Sequence, residues 1–201
     1  LGASRIDAKG RIAAAMQVDA NFTPLQLNDL LPDGRGTLRG TLSVRGARNA
    51  PDVAVDLDGS GVVFGDYRAN RFVAKGRLPW KAGDGALAID AQGLQLGLPF
   101  ADLRAKLSGA VERLRFDADA RGDIGAIALQ GDANKNGARW QGALTTLRFD
   151  PAKGAAWALQ QPTRWSWDGA SGVLSRSCLA SNAGGSLCAD ADWPRRGLNV
   201  R

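Results

Sequence analysis

Apolar and polar residues alternate along most of the chain. In RIAAAMQVDANF, the even positions carry Ile12, Ala14, Met16, Val18, Ala20 and Phe22, while Arg11, Gln17, Asp19 and Asn21 hold odd ones. A period of two sends successive side chains to opposite faces of a strand, so the segment predicts a strand with one apolar face. The pattern returns at Leu38, Leu42 and Val44, at Val53, Val55 and Leu57, at Phe72, Ala74, Leu78 and Trp80, and at Leu87 and Ile89. It continues through Leu103, Ala105 and Leu107, then Leu114, Phe116 and Ala118, then Ile127 and Leu129, and finally Leu147 and Phe149. Between these runs stand LPDGRG, RGARNAP, DANKNG and SNAGG, whose Asp, Asn and Gly residues suit tight hairpin turns. Only LQLNDLLP, residues 25–32, reads as a helical turn.

A short unit, Gly-x-Leu, recurs at 36–38, 40–42, 76–78, 85–87, 142–144 and 172–174. Its spacing is too irregular for a strict solenoid and suits quasi-repeated hairpins along one sheet. No linker or composition break divides residues 1–201, which predicts a single continuous domain, and the start at Leu1 predicts a fragment of a longer chain. The 26 glycines, and Glu112 as the only glutamate among 20 acidic residues, make a poor helix former and a good strand-and-turn sequence. No apolar run has the length of a membrane-spanning helix.

Apolar strand faces without helices to cover them must close on each other or stay open. The pattern therefore predicts an all-β fold: an elongated, curved antiparallel sheet folded into a trough with an apolar interior. A closed β-sandwich is the alternative. In the trough, the alternating Leu, Val, Ile, Phe and Met residues named above, from Ile12 and Met16 to Phe149, line the groove.

The chemistry available is narrow. The chain has no histidine, which excludes Ser-His-Asp, Cys-His and histidine-metal sites. The Asp residues stand mostly beside turns, so no catalytic residue, cofactor or metal ligand set is assigned, and the chain is read as a non-enzyme. DADARGDIGAIA imitates an EF-hand start through Asp117, Asp119, Gly122 and Asp123, but Ala128 stands where the closing bidentate carboxylate belongs. A net charge of +6 and the cluster Arg35, Arg39, Arg45 and Arg48 invite a nucleic acid. No aromatic residues are interleaved to stack bases, so nucleic acid is not expected as a partner.

Cys178 and Cys188, the only cysteines, flank the turn SNAGG. Paired as a hairpin, their sulfurs meet at disulfide distance; two free buried thiols are the alternative. Closing such a loop stabilises by roughly 2–3 kcal/mol in the chain-entropy model, and a disulfide implies the periplasm or the cell exterior.

Residues 34–193 resemble the TamB family of Gram-negative bacteria, a branch of the AsmA-like bridge-forming proteins with a β-taco or β-groove fold. The resemblance rests on WQGALTTLRF with Trp140 and Gly142, on Trp157 in GAAWAL, on Cys178 followed by Leu179, on Leu187 followed by Cys188, and on Trp193. It implies a periplasmic segment of a protein anchored in the inner membrane and reaching an Omp85-type, TamA-like partner in the outer membrane through parts outside this fragment. It also implies roles in phospholipid transport and outer-membrane protein assembly, with the groove lining meeting phospholipid acyl chains. The alternatives are a chaperone-like trough for outer-membrane strands and a purely structural or adhesive β-repeat module.

Overall fold

The computed structural model describes residues 4–81, 83–96, 98–194 and 197–200. Among them the chain is strand and turn throughout, apart from one 3-10 turn at Leu27–Asp29. That turn is what the segment 25–32 provides: Leu25 stays in the preceding strand, 3% exposed, and the helical geometry lasts three residues. The contacts group the chain into two compact units, Leu1–Ala110 and Val111–Arg201.

The first unit is an antiparallel meander of β1 (Ile6–Ile12), β2 (Ala15–Gln26), β3 (Gly34–Ala47), β4 (Ala50–Phe64), β5 (Tyr67–Leu78), β6 (Gly85–Leu96) and β7 (Leu98–Ala110), each paired with its sequence neighbour. The second runs β8 (Arg113–Gly122), β9 (Gly125–Asn136) and β10 (Arg139–Pro151). It then passes through two short strands, β11 (Trp157–Leu159) and β12 (Thr163–Trp167), to β13 (Gly172–Ser181), β14 (Ser186–Trp193) and β15 (Gly197–Val200). β11 and β12 lie end to end between β10 and β13. Pro162, which lacks a backbone N–H, stands in the gap between them.

Register turns alternation along the strands into rows across them. One row of the first unit reads Ala8, Ala20, Leu42, Val55, Gly76, Leu87 and Leu107; the next reads Ile6, Phe22, Gly40, Leu57, Ala74, Ile89 and Ala105. The opposite face is ionic, with Asp19–Arg45 at 2.8 Å, Asp58–Arg71 at 2.9 Å and Asp56–Lys75 at 2.8 Å. These pairs are half-exposed and each contributes little to stability. Their effect is to make one face unambiguously the wet one, which fixes register, because a slip of one residue would reverse every strand.

Neither unit wraps a sealed core. Among the described residues the buried hydrophobics are Leu25, Ala69, Ala91, Ala110 and Ala133. The chain exposes 12930 Å² at a mass of 21.1 kDa, where a compact globular chain of that mass exposes about 9,000 Å². A two-layer sandwich would bury whole rows of Leu and Val. Here those rows remain half-exposed, which is the open-sheet outcome and not the sandwich.

Candidate functional site: an open, creased apolar face

The candidate site is the apolar face of each unit. In the first unit the register brings Ile12, Met16, Val18, Leu38, Leu42, Val44, Val53, Val55, Leu57, Phe72, Leu78, Leu87, Ile89, Leu103 and Leu107 to one side of the sheet. In the second unit Leu114, Phe116, Ile127, Leu129, Leu147 and Phe149 likewise share one side. Ile12 stands at the edge, 72% exposed, while the inner members are half-buried.

A crease crosses the first sheet. Gly61 on β4, Asn70 on β5 and Gly93 on β6 fall in one row, between the pairs Ser60–Arg71–Gln92 and Val62–Ala69. At this row the alternation slips by one residue, as it does in a bulge, so Val62, Ala69 and Leu94 return to the apolar side. Gly61 and Gly93 both have φ of +58°, the left-handed region that glycine enters without penalty. A Cβ on Gly61 would meet open space, so the backbone angle alone requires glycine there. Leu25, Gly59 and Ala91 on one side of this line and Ala69 on the other are buried, and a second buried group, Pro79, Gly85 and Ala110, stands at the far end of β5–β7.

The second unit has its own line of irregularity. It passes through Thr145 in β10, residues 160–162 between β11 and β12, and Ser175–Arg176 in β13. Thr163 sits beside it, 2% exposed, and its hydroxyl donates to the Ser175 carbonyl at 3.0 Å. A buried hydroxyl satisfied in this way leaves no unpaired polar group on the apolar side.

Three aromatic rings roof glycines directly across from them. A Cβ on Gly59 would stand 2.2 Å from the Phe72 ring, one on Gly131 would stand 2.6 Å from Phe116, and one on Gly172 would stand 2.7 Å from Trp167. Each is a register pair. The glycine lets the ring lie down on the sheet, which shields a backbone that no side chain covers. The Gly-x-Leu repeat follows from the same geometry, since residues two apart share a face and place glycine and leucine alternately along the apolar side.

The family-motif residues fall on this side too. Trp140, Gly142 and Trp157 lie in its rows, and Leu179 pairs with Leu187. Trp193 ends the row of Trp140. Cys178 and Cys188 oppose each other one residue along, on the polar face, and form a disulfide with a Cα separation of 4.0 Å. Sequence reasoning missed the crease and the aromatic roofs. Glycine pairs within strands were the available signal, and they read as hairpin repetition instead.

The described depressions lie over the polar faces. One of about 540 Å³ is flanked by Lys9, Asp19, Ser43 and Asp56, and another of about 520 Å³ by Asp132, Arg139, Arg164 and Ser166. Their charged groups are exposed or half-buried and joined by ordinary surface contacts, such as Arg139 donating to the Ser166 hydroxyl at 3.1 Å. Asp117 and Asp119, from the segment resembling an EF-hand, point outward on β8, and Asp117 accepts from the Gln130 amide at 2.7 Å. Among the described residues no helix is long and apolar enough to cross a membrane. The apolar faces stay open; in the first unit their rows hold no charged side chain, and in the second Lys135 and Glu112 stand at the rim.

No solved structure matches the chain at a significant level. The family model described as TamB, N-terminal domain, matches residues 1–194, so the chain belongs to the TamB family.

Proposed function

We propose that this chain is a periplasmic segment of an inner-to-outer-membrane bridge, whose apolar face carries phospholipid acyl chains in support of outer-membrane biogenesis. The observation that carries the reading is the open face. Continuous rows such as Leu42, Val55, Leu87 and Leu107 contain no charge, and no described element covers them. Each methylene withdrawn from water onto such a surface contributes about 0.8 kcal/mol, so a few segments of chain suffice for reversible holding. A conduit of this kind needs no catalytic group. The disulfide suits an oxidising compartment. A trough for unfolded outer-membrane strands would instead use exposed strand edges, and its clients would need no continuous apolar lining.

A photoreactive residue at position 55 or 87, on the apolar face, should crosslink phospholipid in Gram-negative cells; one at position 41, on the polar face, should not. Crosslinks to protein alone from positions 55 and 87 would sink the lipid reading in favour of a chaperone trough.

A further inference from the structure

We infer that the tryptophan row at the turn end of residues 111–201 holds the glycerol and phosphate region of a bound phospholipid, with its acyl chains running from that row to the crease. This rests on the acyl-chain reading above and adds where on the face the headgroup end lies.

The face of this unit is graded along the strands. At its rim one row contains Glu112, Lys135, Trp140, Trp167, Gly172 and Trp193, beside the turns at 136–138 and 168–171. Trp167 is 41% exposed and Trp193 59% exposed, leaving roughly 200 Å² of indole surface uncovered at about 200 Å² per side chain. The Lys135 ammonium lies 4.7 Å above the Trp140 ring, placing a cation within the aromatic row. The next two rows hold Leu114, Trp165, Leu174, Phe116 and Leu144, with no charged side chain. Then comes the crease at Thr145.

An amphipathic molecule has the same order: a charged, interfacial end, then hydrocarbon. Indoles partition to the boundary between headgroup and chain, where an apolar ring and a polar N–H are both satisfied. The length also fits. From Trp140 to Thr145 is five residues, roughly 17 Å at ~3.4 Å per residue. One leaflet's hydrocarbon is about 15 Å deep, half of a ~30 Å core. A chain anchored at the tryptophans would reach the crease and stop.

The test is depth-dependent quenching of tryptophan emission by phospholipids brominated either near the carbonyl or near the terminal methyl. It is run on the chain and on Trp167→Phe/Trp193→Phe. The emission of Trp167 and Trp193, taken as the difference, should be quenched at least twofold more by the shallow bromines. Equal quenching, or stronger quenching by the terminal bromines, overturns the inference while leaving the acyl-chain reading intact. Quenching of no tryptophan by either lipid would overturn both. Because the native chain alone shows whether lipid is seated, a misfolded variant cannot mask that outcome. As a second readout, Trp167→Ala/Trp193→Ala should retain severalfold less phospholipid than the native chain yet bind an alkane equally. Equal loss of both ligands argues for general damage to the face and against a headgroup role.

Discussion

Val55→Arg separates an open face from a packed core. Val55 lies mid-sheet on β4, between Leu42 on β3 and Gly76 on β5, and is half-buried. Complete burial of valine is worth about 1.5–3 kcal/mol, so losing a half-buried one costs about 1 kcal/mol. Strand preference adds up to ~1 kcal/mol. The guanidinium has water in front of it and a glycine beside it, so no buried unpaired charge is created. We expect destabilisation of about 1–2 kcal/mol, read as a lower urea midpoint with an unchanged slope. For an acyl chain the outcome differs. An arginine within hydrocarbon costs roughly 2.5–3.5 kcal/mol, a roughly 60- to 300-fold weaker dissociation constant at about 1.4 kcal/mol per decade. Titration with a fluorescent phospholipid reads that ratio. Thr41→Arg, on the polar face between Asn21 and Asp56, should leave both quantities unchanged. Loss of more than about 4 kcal/mol of stability, the range of core disruptions, would show that the face is sealed in solution and would refute the reasoning.

Gly59→Val drives a side chain into the Phe72 ring, 2.2 Å from the new Cβ; it should destabilise by about 1–3 kcal/mol, as overpacking does, and Phe72→Ala added to it should recover part of the loss in a double-mutant cycle. Replacing Cys178 and Cys188 by alanine opens a loop of sequence separation 10. That should cost about 2.7 kcal/mol by loop entropy, seen as a lower denaturation midpoint that reductant no longer changes. Asp168 accepts from the Ser171 hydroxyl, then from the Ser171 and Ala170 amides, and these bonds lower its pKa to about 2 from 3.8. A carboxyl depressed on folding contributes stability that is complete above 3.8 and lost as pH falls towards 2. In Ser171→Ala the carbon NMR titration of Asp168 should move up towards 3.8, and an unmoved midpoint would show that the hydroxyl is not the main cause.

Much of the architecture was legible in the sequence because a half-wet sheet writes itself as alternation. Val18, Val44, Val53 and Leu78 share one row, and each had been recognisable from its own strand. The cysteine pair was equally readable, since two thiols across one turn leave few other geometries. What alternation hides is where it slips. Val62 and Ala69 return to the apolar side only because Gly61, Asn70 and Gly93 align across three strands, and that alignment depends on long-range register. Leu25 looked like the start of a helical turn because the leucines of LQLNDLLP suit one. Pairing with Leu38 instead draws it into the sheet. The tryptophan row was visible as separate motif residues, but their common line across β10, β12 and β14 is a property of the pairing.

In residues 1–110 every strand is bonded only to those before and after it in the chain. Such a meander has no closing contact that fixes how many hairpins it must contain. Duplicating one would extend the sheet by about 9.6 Å, two strand spacings of ~4.8 Å, with the rows of its apolar face carried on unchanged. On the bridging function proposed above, a lineage whose two membranes drift apart can restore the span by copying a stretch of gene, with no redesign of what lies on either side.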